Sequence, residues 1–277
     1  MPIWSRPRDA ATVSGRRPFP LFLTTLLVTT LILGGCARTE RGKSEVPKPA
    51  SLTVAAAADL QAAFAEMGEI FARQTGVKPT FSFGSSGVLT QQIENGAPID
   101  VFAAADQSYI EALRKKGLVW PDTVTLYARG RLVLATAPNS PVSLNRLDDL
   151  LSPAVKKIAL ANPEHAPYGR AAREALQKAG VWEKVQGKLV YGNNIRDTQT
   201  VVETGNAEAG LLALSLVKNS NLKYFLVDQA LFQPLDQAMA VVKGTKNEEL
   251  ARKFLQLVLS PEGQTVLEKY GFEKPGR

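Results

Sequence analysis

The stretch FSFGSSG, residues 81–87, predicts the point at which a buried strand turns into a helix. Its two phenylalanines alternate with a polar residue, as in a half-buried strand, and the apolar residues that follow recur at helical spacing. Ser85 and Ser86 would therefore lie at a helix N-terminus, where the first backbone N–H groups have no partner inside the helix and the macrodipole is positive. Such a turn can bind a small anion, or a serine there can simply cap the helix.

Three further strand-to-helix turns are predicted along the chain, at Asp59, Tyr168 and Ile195. Repeated alternation of strands and helices predicts an α/β fold whose parallel strands are covered by helices on both faces. In such folds ligands bind at the carboxyl ends of the strands, and all four turns lie on that side. Their convergence favours an anion site, although Asp59 alone could be no more than a helix cap.

The N-terminal segment has the pattern of an export signal. Four arginines precede an apolar run at 21–33, which is too short for a comfortable membrane span, and the run ends in Leu33-Gly34-Gly35-Cys36. This ending resembles a bacterial lipobox, which predicts that Cys36 is lipidated; an ordinary signal with a chance cysteine is the alternative. Residues 37–49 are polar and proline-rich and are expected to form a flexible tether. The Arg16-Arg17 pair leaves the export route, general or twin-arginine, open.

Charge and composition exclude several classes of function. The chain has a formal net charge of +7, of which +3 precedes Cys36, and the remaining charges are well mixed. No basic block indicates a nucleic-acid partner. With one histidine and one cysteine, the sequence has no Cys–His cluster for a metal ion, and we expect neither a metal-ion site nor a cofactor.

Taken in order, the motifs between residues 51 and 272 resemble those of the periplasmic molybdate-binding proteins of ABC importers. The motifs that carry the resemblance are VAAAADL (54–60), FGSSGVL (83–89), QIENGAP (92–98), ADQ (105–107), PEHAP (163–167) and KYGF (269–272). The resemblance implies a two-lobed periplasmic binding protein fold of type II, with parallel-core sheets, helices on both faces and the oxyanion in the cleft between the lobes. Residues 1–35 would be the signal peptide and 36–50 the lipidated cysteine and tether. Lobe 1 would comprise 51–129 and 233–277, and lobe 2 would comprise 130–232.

The same resemblance implies a function and a set of site residues. Together with the lipobox-like sequence at Cys36, it implies a monomeric lipoprotein, held by its lipid in the periplasm or on the outer face of the cytoplasmic membrane. This protein would capture molybdate or tungstate by lobe closure and deliver it to an ABC transporter permease, without enzymatic activity. The implied ligand-binding residues are Asp59, Ser85, Ser86, Tyr168 and Ile195, with Ser86 donating from its side chain and backbone and the last two from backbone N–H groups.

Two positions depart from the family pattern. Asp59 stands where the family usually has a serine, and Ala213 where it usually has a tyrosine. A carboxylate about 4 Å from a dianion would cost roughly 8 kcal/mol at an effective dielectric constant near 20. Either Asp59 turns away to cap its helix, or the ligand carries a proton, as a phosphate-like anion can and molybdate cannot. Arg170 and Arg196 lie next to two of the turns and could offset the charge, and the Tyr168 phenol could replace the missing one.

Two alternatives from other classes remain at this point. Ser86 and His165, with an aspartate, could form a hydrolase triad, but residues 84–87 lack the G-x-S-x-G spacing of a nucleophile elbow. A surface lipoprotein with only structural contacts would explain the signal segment but not the four convergent turns.

Overall fold

The computed structural model of the chain describes residues 51–275, so the predicted signal segment, Cys36 and the tether lie outside the described residues. The strands are β1 (Thr53–Ala57), β2 (Thr80–Gly84), β3 (Val101–Ala104), β4 (Thr125–Gly130), β5 (Leu132–Thr136), β6 (Ile158–Ala161), β7 (Leu189–Gly192), β8 (Ala209–Ala213), β9 (Lys223–Leu226) and β10 (Leu235–Val241). The helices are α1 (Gln61–Thr75), α2 (Ser86–Glu94), α3 (Gln107–Lys115), α4 (Pro167–Lys178), α5 (Trp182–Val185), α6 (Ile195–Glu203), α7 (Leu214–Val217), α8 (Glu248–Leu259) and α9 (Pro261–Lys269).

The strands form two five-stranded sheets. The first has the order β2-β1-β3-β10-β4 and the second the order β7-β6-β8-β5-β9. In each sheet the first three strands are parallel, and the remaining pairings are antiparallel. The predicted two-lobed α/β fold with parallel-core sheets is therefore confirmed. We call the layer built on the first sheet lobe 1 and the layer built on the second lobe 2; the lobe bounds given above stay a prediction.

The chain passes between the sheets twice. Arg131 separates β4 of the first sheet from β5 of the second, and residues 227–234 lead from β9 back to β10. Next to the first crossover, the Arg129 guanidinium binds the Asp236 carboxylate of the neighbouring strand through two hydrogen bonds, of 2.7 and 3.1 Å. The two crossings thus lie side by side, between β4 and β10.

The core of lobe 1 follows from the pattern of α1. Phe64, Met67 and Phe71 recur at helical spacing and are fully buried. Phe64 and Phe71 each meet the ring of Phe254 on α8 edge to face, with ring centroids 5.5 Å apart. No helix among residues 51–275 is long and apolar enough to cross a membrane.

The structure differs from the sequence-based expectations in four elements. Strand β4 is not predicted by the sequence pattern. Residues 144–151, whose pattern predicts a helix, form only a 3-10 turn at Leu147–Leu151. The apolar spacing predicts that α4 begins at Ala171 and α6 at Thr198, but the helices begin four and three residues earlier, at Pro167 and Ile195. Helix α4 starts on Pro167, because proline fits the first helical position, where its missing N–H leaves no intrahelical bond unmade.

Candidate functional site

A small cavity lies at the carboxyl ends of the parallel strands, between the two lobes. Its volume is about 10 Å³, which is room for about one water-sized group. Its walls are residues of both lobes: Ala57, Ala58, Asp59, Gly84, Ser85, Ser86, Ala105, Ala166, Pro167, Tyr168 and Ile195. The structure therefore brings all five residues of the predicted site together around one cavity.

Three helices begin at this cavity, α2 from lobe 1 and α4 and α6 from lobe 2. In α6 the Asn194 side chain accepts hydrogen bonds from the N–H groups of Arg196 and Asp197, at 2.9 and 3.0 Å. The N–H of Ile195 therefore has no partner within its own helix. In α4 the first residue is a proline, so the first N–H that the helix can offer is that of Tyr168. The wall of the cavity thus combines N–H groups with the positive ends of three helix dipoles.

The two serines have different partners, and neither side chain caps α2. The Ser86 Oγ accepts a hydrogen bond from the Ala105 N–H at 3.0 Å, so its own proton remains available to a third group. The Ser85 Oγ lies 2.9 Å from His165 Nδ1, across the gap between the lobes. The capping alternative for these serines is wrong.

This pairing also removes the proposed hydrolase site. The single histidine pairs with Ser85 and not with Ser86, and in the part of the chain that the structure describes no carboxylate bonds its ring. Without a carboxylate to orient the imidazole, the Ser–His–Asp arrangement is not formed. Residues 51–275 also hold no group of three His, Cys, Asp or Glu side chains placed to bind a metal ion.

Asp59 is a buried carboxylate on the cavity wall, with only 1% of its surface exposed. Its Oδ2 accepts a hydrogen bond of 2.6 Å from the Gln237 side-chain amide. Gln237 is held in turn by the Tyr127 hydroxyl, which donates to Gln237 Oε1 at 2.7 Å. Asp59 makes no capping hydrogen bond to α1, so the alternative in which it turns away to cap that helix is wrong.

Two polar atoms beside this network have no hydrogen-bond partner among the described residues, Asp59 Oδ1 and the Tyr168 hydroxyl. The Tyr168 ring is 2% exposed, and its hydroxyl lies against Gly130, at the first crossover. A β-carbon at position 130 would stand 2.1 Å from that oxygen, so the phenol has room only because residue 130 is glycine. Ala213 is buried at the end of β8 but does not line the cavity.

Burial controls the ionisation of this network. Loss of hydration raises the pKa of Asp59 to about 6, while the hydrogen bond from Gln237 and the proximity of the Tyr168 phenol partly counter the shift. Burial also raises the pKa values of Tyr168 and Tyr127 well above their ordinary values, and the Asp59 charge raises them further. Both phenols therefore keep their protons at any physiological pH.

No arginine, lysine or histidine side chain is among the residues that line the cavity. The Arg170 guanidinium binds the Asp106 carboxylate of lobe 1 at 2.5 Å and lies over the Tyr109 ring. The Arg196 guanidinium binds Gln199 at 2.6 Å. The proposal that these two arginines offset the Asp59 charge within the site is therefore not supported.

Several contacts join the lobes around the cavity. The Gly87 N–H donates to the His165 carbonyl at 2.9 Å, and the Ser215 hydroxyl donates to the Asp59 carbonyl at 2.8 Å. Together with the Arg170–Asp106 ion pair, they hold the loop before α4 and the start of α7 against lobe 1. Polar contacts thus hold the two lobes together around the cavity.

Comparisons with known proteins agree with this geometry. A family model described as bacterial extracellular solute-binding protein matches residues 52–273. A molybdate-binding protein of Rhodobacter capsulatus is 34% identical over 229 residues, which cover 82% of this chain and 90% of that protein. A putative ABC transporter substrate-binding lipoprotein of Bacillus subtilis is 30% identical over 260 residues, 92% of this chain and 98% of its relative.

A solved structure has the same arrangement of elements. The periplasmic molybdate-binding protein of Azotobacter vinelandii superimposes with a TM-score of 0.77 at 28% sequence identity. The superposition covers 81% of this chain and all of the other.

Proposed function

The chain belongs to the bacterial extracellular solute-binding proteins, and on that premise we propose that it captures molybdate, or the similar tungstate, and delivers it to an ABC importer. The relatives from Rhodobacter capsulatus and Azotobacter vinelandii carry the name of molybdate-binding proteins, and both match the chain over about four fifths of its length. Proteins of this family bind a solute for transport and do not convert it.

The observation that carries the proposal is the convergence of three helix N-termini, from both lobes, on one buried cavity. Each N-terminus presents N–H groups and the positive end of a dipole, which stabilise an anion without a counter-charge. The Ser86 hydroxyl, with its proton available, adds a donor from lobe 1. Because the donors come from both lobes, an anion at this position would hold the two lobes together.

The size of the cavity supports a ligand of a few atoms. Its volume of about 10 Å³ is far below the range of roughly 300–1,000 Å³ typical of sites for drug-sized molecules. A tetrahedral oxyanion presents four oxygens, enough to meet the N–H groups of α2, α4 and α6 and one hydroxyl. We therefore favour a compact oxyanion over an organic solute.

A thermal-shift panel of residues 51–277 against molybdate, tungstate, sulfate and phosphate tests the proposed function. We expect molybdate and tungstate to raise the melting temperature, because a ligand at 100 times its Kd stabilises the folded state by about 2.7 kcal/mol. Sulfate has the same charge and geometry with shorter bonds, so it serves as the control for size. If none of the four anions raises the melting temperature between pH 6 and 8, the proposed function is wrong.

A phosphate-like ligand is a second candidate, and the position of Asp59 favours it. A buried carboxylate on the wall can accept a hydrogen bond from a protonated anion such as hydrogen phosphate. The same panel separates the two candidates, because a larger shift with phosphate than with molybdate would assign the site to the protonated anion.

We further propose that Cys36 is lipidated and holds the protein, as a monomer, at the outer face of a membrane near the permease. The support is the lipobox-like sequence, and the relative from Bacillus subtilis that carries the name of a lipoprotein aligns with 92% of the chain. Cys36→Ser is expected to move the protein from the membrane fraction to the soluble fraction of cells that express the full chain. Ser44→Ala, in the tether, is the matched control and should stay with the membrane; unchanged fractionation of Cys36→Ser would disprove the lipid anchor.

A further inference from the structure

We propose that the cavity binds its anion together with one proton, which is held between Asp59 Oδ1 and an oxygen of the ligand. This inference rests on the proposed function, because it names the protonation state in which the site accepts its ligand. For molybdate, which is fully ionised near neutral pH, the proton comes from solvent when the anion enters. For a phosphate-like ligand, the anion brings the proton itself.

The charge balance of the cavity requires this proton. A dianion beside an ionised Asp59 would place three negative charges in a buried space whose walls carry no basic side chain. At a separation of about 4 Å this repulsion would weaken binding by several orders of magnitude. A proton is much less costly, because a carboxyl with a pKa of about 6 is protonated at pH 7 at a penalty of only about tenfold in affinity.

The hydrogen bonds around Asp59 place the proton on one oxygen. The Tyr127 hydroxyl donates to Gln237 Oε1, which turns the amide N–H of Gln237 towards Asp59 Oδ2. Oδ2 is therefore an acceptor with its donor already in place. Oδ1 has no partner among the described residues, although Asp59 is 1% exposed and lines the cavity. The Tyr168 hydroxyl, which is close to Asp59 and also lacks a partner, stays neutral and brings no charge, so Oδ1 is the carboxylate atom that can carry the proton towards a ligand.

No other group near Asp59 can supply the missing positive charge. Asp59 lies in the turn Ala58–Leu60, which packs against α1, β2, α6 and α7. The Asp59 side chain lies next to residues of α4, β4 and β10. The facing titratable groups are the phenols of Tyr127 and Tyr168, which stay neutral. Charged residues on these elements are held in pairs or lie away from the site: Glu66 with Lys269, Arg170 with Asp106, Arg173 with Glu164, Arg196 with Glu203, and Arg129 with Asp236. Glu69 is paired with Lys78, and Arg73, Glu174, Lys178 and Asp197 are not among the cavity residues.

Calorimetry of molybdate binding in two buffers with different ionisation enthalpies measures the proton directly. At pH 8 the free carboxyl is ionised, so we expect the wild-type protein to take up about one proton per molybdate bound. Between pH 7 and 9 the Kd should rise about tenfold per pH unit, because binding takes up one proton and the proton concentration in solution falls tenfold per unit. The mature protein, residues 36–277, is used throughout.

Two variants and one control assign the proton to Asp59. Asp59→Asn supplies a neutral group that can donate at the same place, so molybdate binding should show no proton uptake and a constant Kd from pH 7 to 9. Asp59→Ser should behave in the same way, which keeps the test valid if one variant folds poorly. Asp100→Asn is the matched control, a buried aspartate that bonds Thr53 and Asn247 far from the cavity, and it should keep the wild-type proton uptake.

The outcomes separate this inference from the proposed function. Molybdate binding by the wild-type protein with no proton uptake and a constant Kd would overturn the inference and leave the function intact. Proton uptake that persists in both Asp59 variants would also overturn it, because the proton would then reside elsewhere. A failure of molybdate, tungstate, sulfate and phosphate to bind at any pH from 6 to 9 would instead reject the function itself.

Discussion

Gly87→Ala is expected to weaken oxyanion binding by roughly 5- to 150-fold while the ligand-free protein stays folded. A β-carbon at residue 87 would stand 2.8 Å from the His165 carbonyl oxygen and 3.0 Å from its α-carbon. These are backbone atoms of the opposite lobe, so they cannot move aside as the end of a flexible side chain could. An overpacked contact of this kind costs about 1–3 kcal/mol, and the cost falls only on the form in which the lobes are closed.

In the ligand-free protein, we expect the same substitution to leave the stability unchanged or to increase it. Residue 87 lies in the first turn of α2, where alanine is favoured over glycine by up to about 1 kcal/mol. We therefore expect the melting temperature without ligand to be equal or higher, and the stabilisation by molybdate to be reduced. Gly187→Ala is the matched control, because a β-carbon there meets no atom within 4 Å. Wild-type affinity in Gly87→Ala would show that the anion binds without closing this contact.

Ser86→Ala is expected to weaken binding by roughly 10- to 150-fold and also to lower the stability of the free protein. The hydroxyl is fully buried, and a hydrogen bond from it to an anion is worth about 1.5–3 kcal/mol. The same oxygen accepts from the Ala105 N–H, and that buried donor would lose its partner at a cost of about 1–3 kcal/mol. The substitution therefore has two separate effects, one on binding and one on the stability of the free protein.

Calorimetry and denaturant unfolding measure the two effects separately. Ser108→Ala is a suitable control, since Ser108 is an exposed serine in the first turn of α3 whose hydroxyl makes no hydrogen bond. A Ser86→Ala protein with normal affinity and reduced stability would place the hydroxyl in the fold and not in the binding site.

The sequence could predict the part of the site that is formed by turns between a strand and the following helix. Each of Asp59, Ser86, Tyr168 and Ile195 lies where a strand ends and a helix or turn begins, and such changes of hydrophobic period are visible within about ten residues. Parallel strands bring those ends to one edge, so the four turns could be expected to meet. The structure adds the location and the size of the cavity at which the four turns meet.

The remaining part of the site depends on contacts distant in sequence. Gln237 lies 178 residues from Asp59, and Tyr127 lies 110 residues from Gln237, in a strand that was not predicted. Nothing in the local pattern of either residue marks it as the partner of a buried carboxylate. The pairing of His165 with Ser85 likewise arises from the packing of one lobe on the other. Gln237 and Tyr127 can be identified as parts of the Asp59 network only from the pairing of β10 with β3 and β4.

That register has a consequence for how the protein reaches its folded state. Strand β10 is the last strand in sequence, yet it lies inside the first sheet, with β3 on one side and β4 on the other. Until residue 241 is available, β3 and β4 each have an unpaired edge, and such edges are prone to pair with other chains. The second sheet, by contrast, is built from one continuous segment, β5 to β9. Lobe 2 can therefore fold early, and lobe 1 closes by non-local contacts, which are slow to form. The carboxylate site, which needs Gln237 from β10, is then among the last features to be completed.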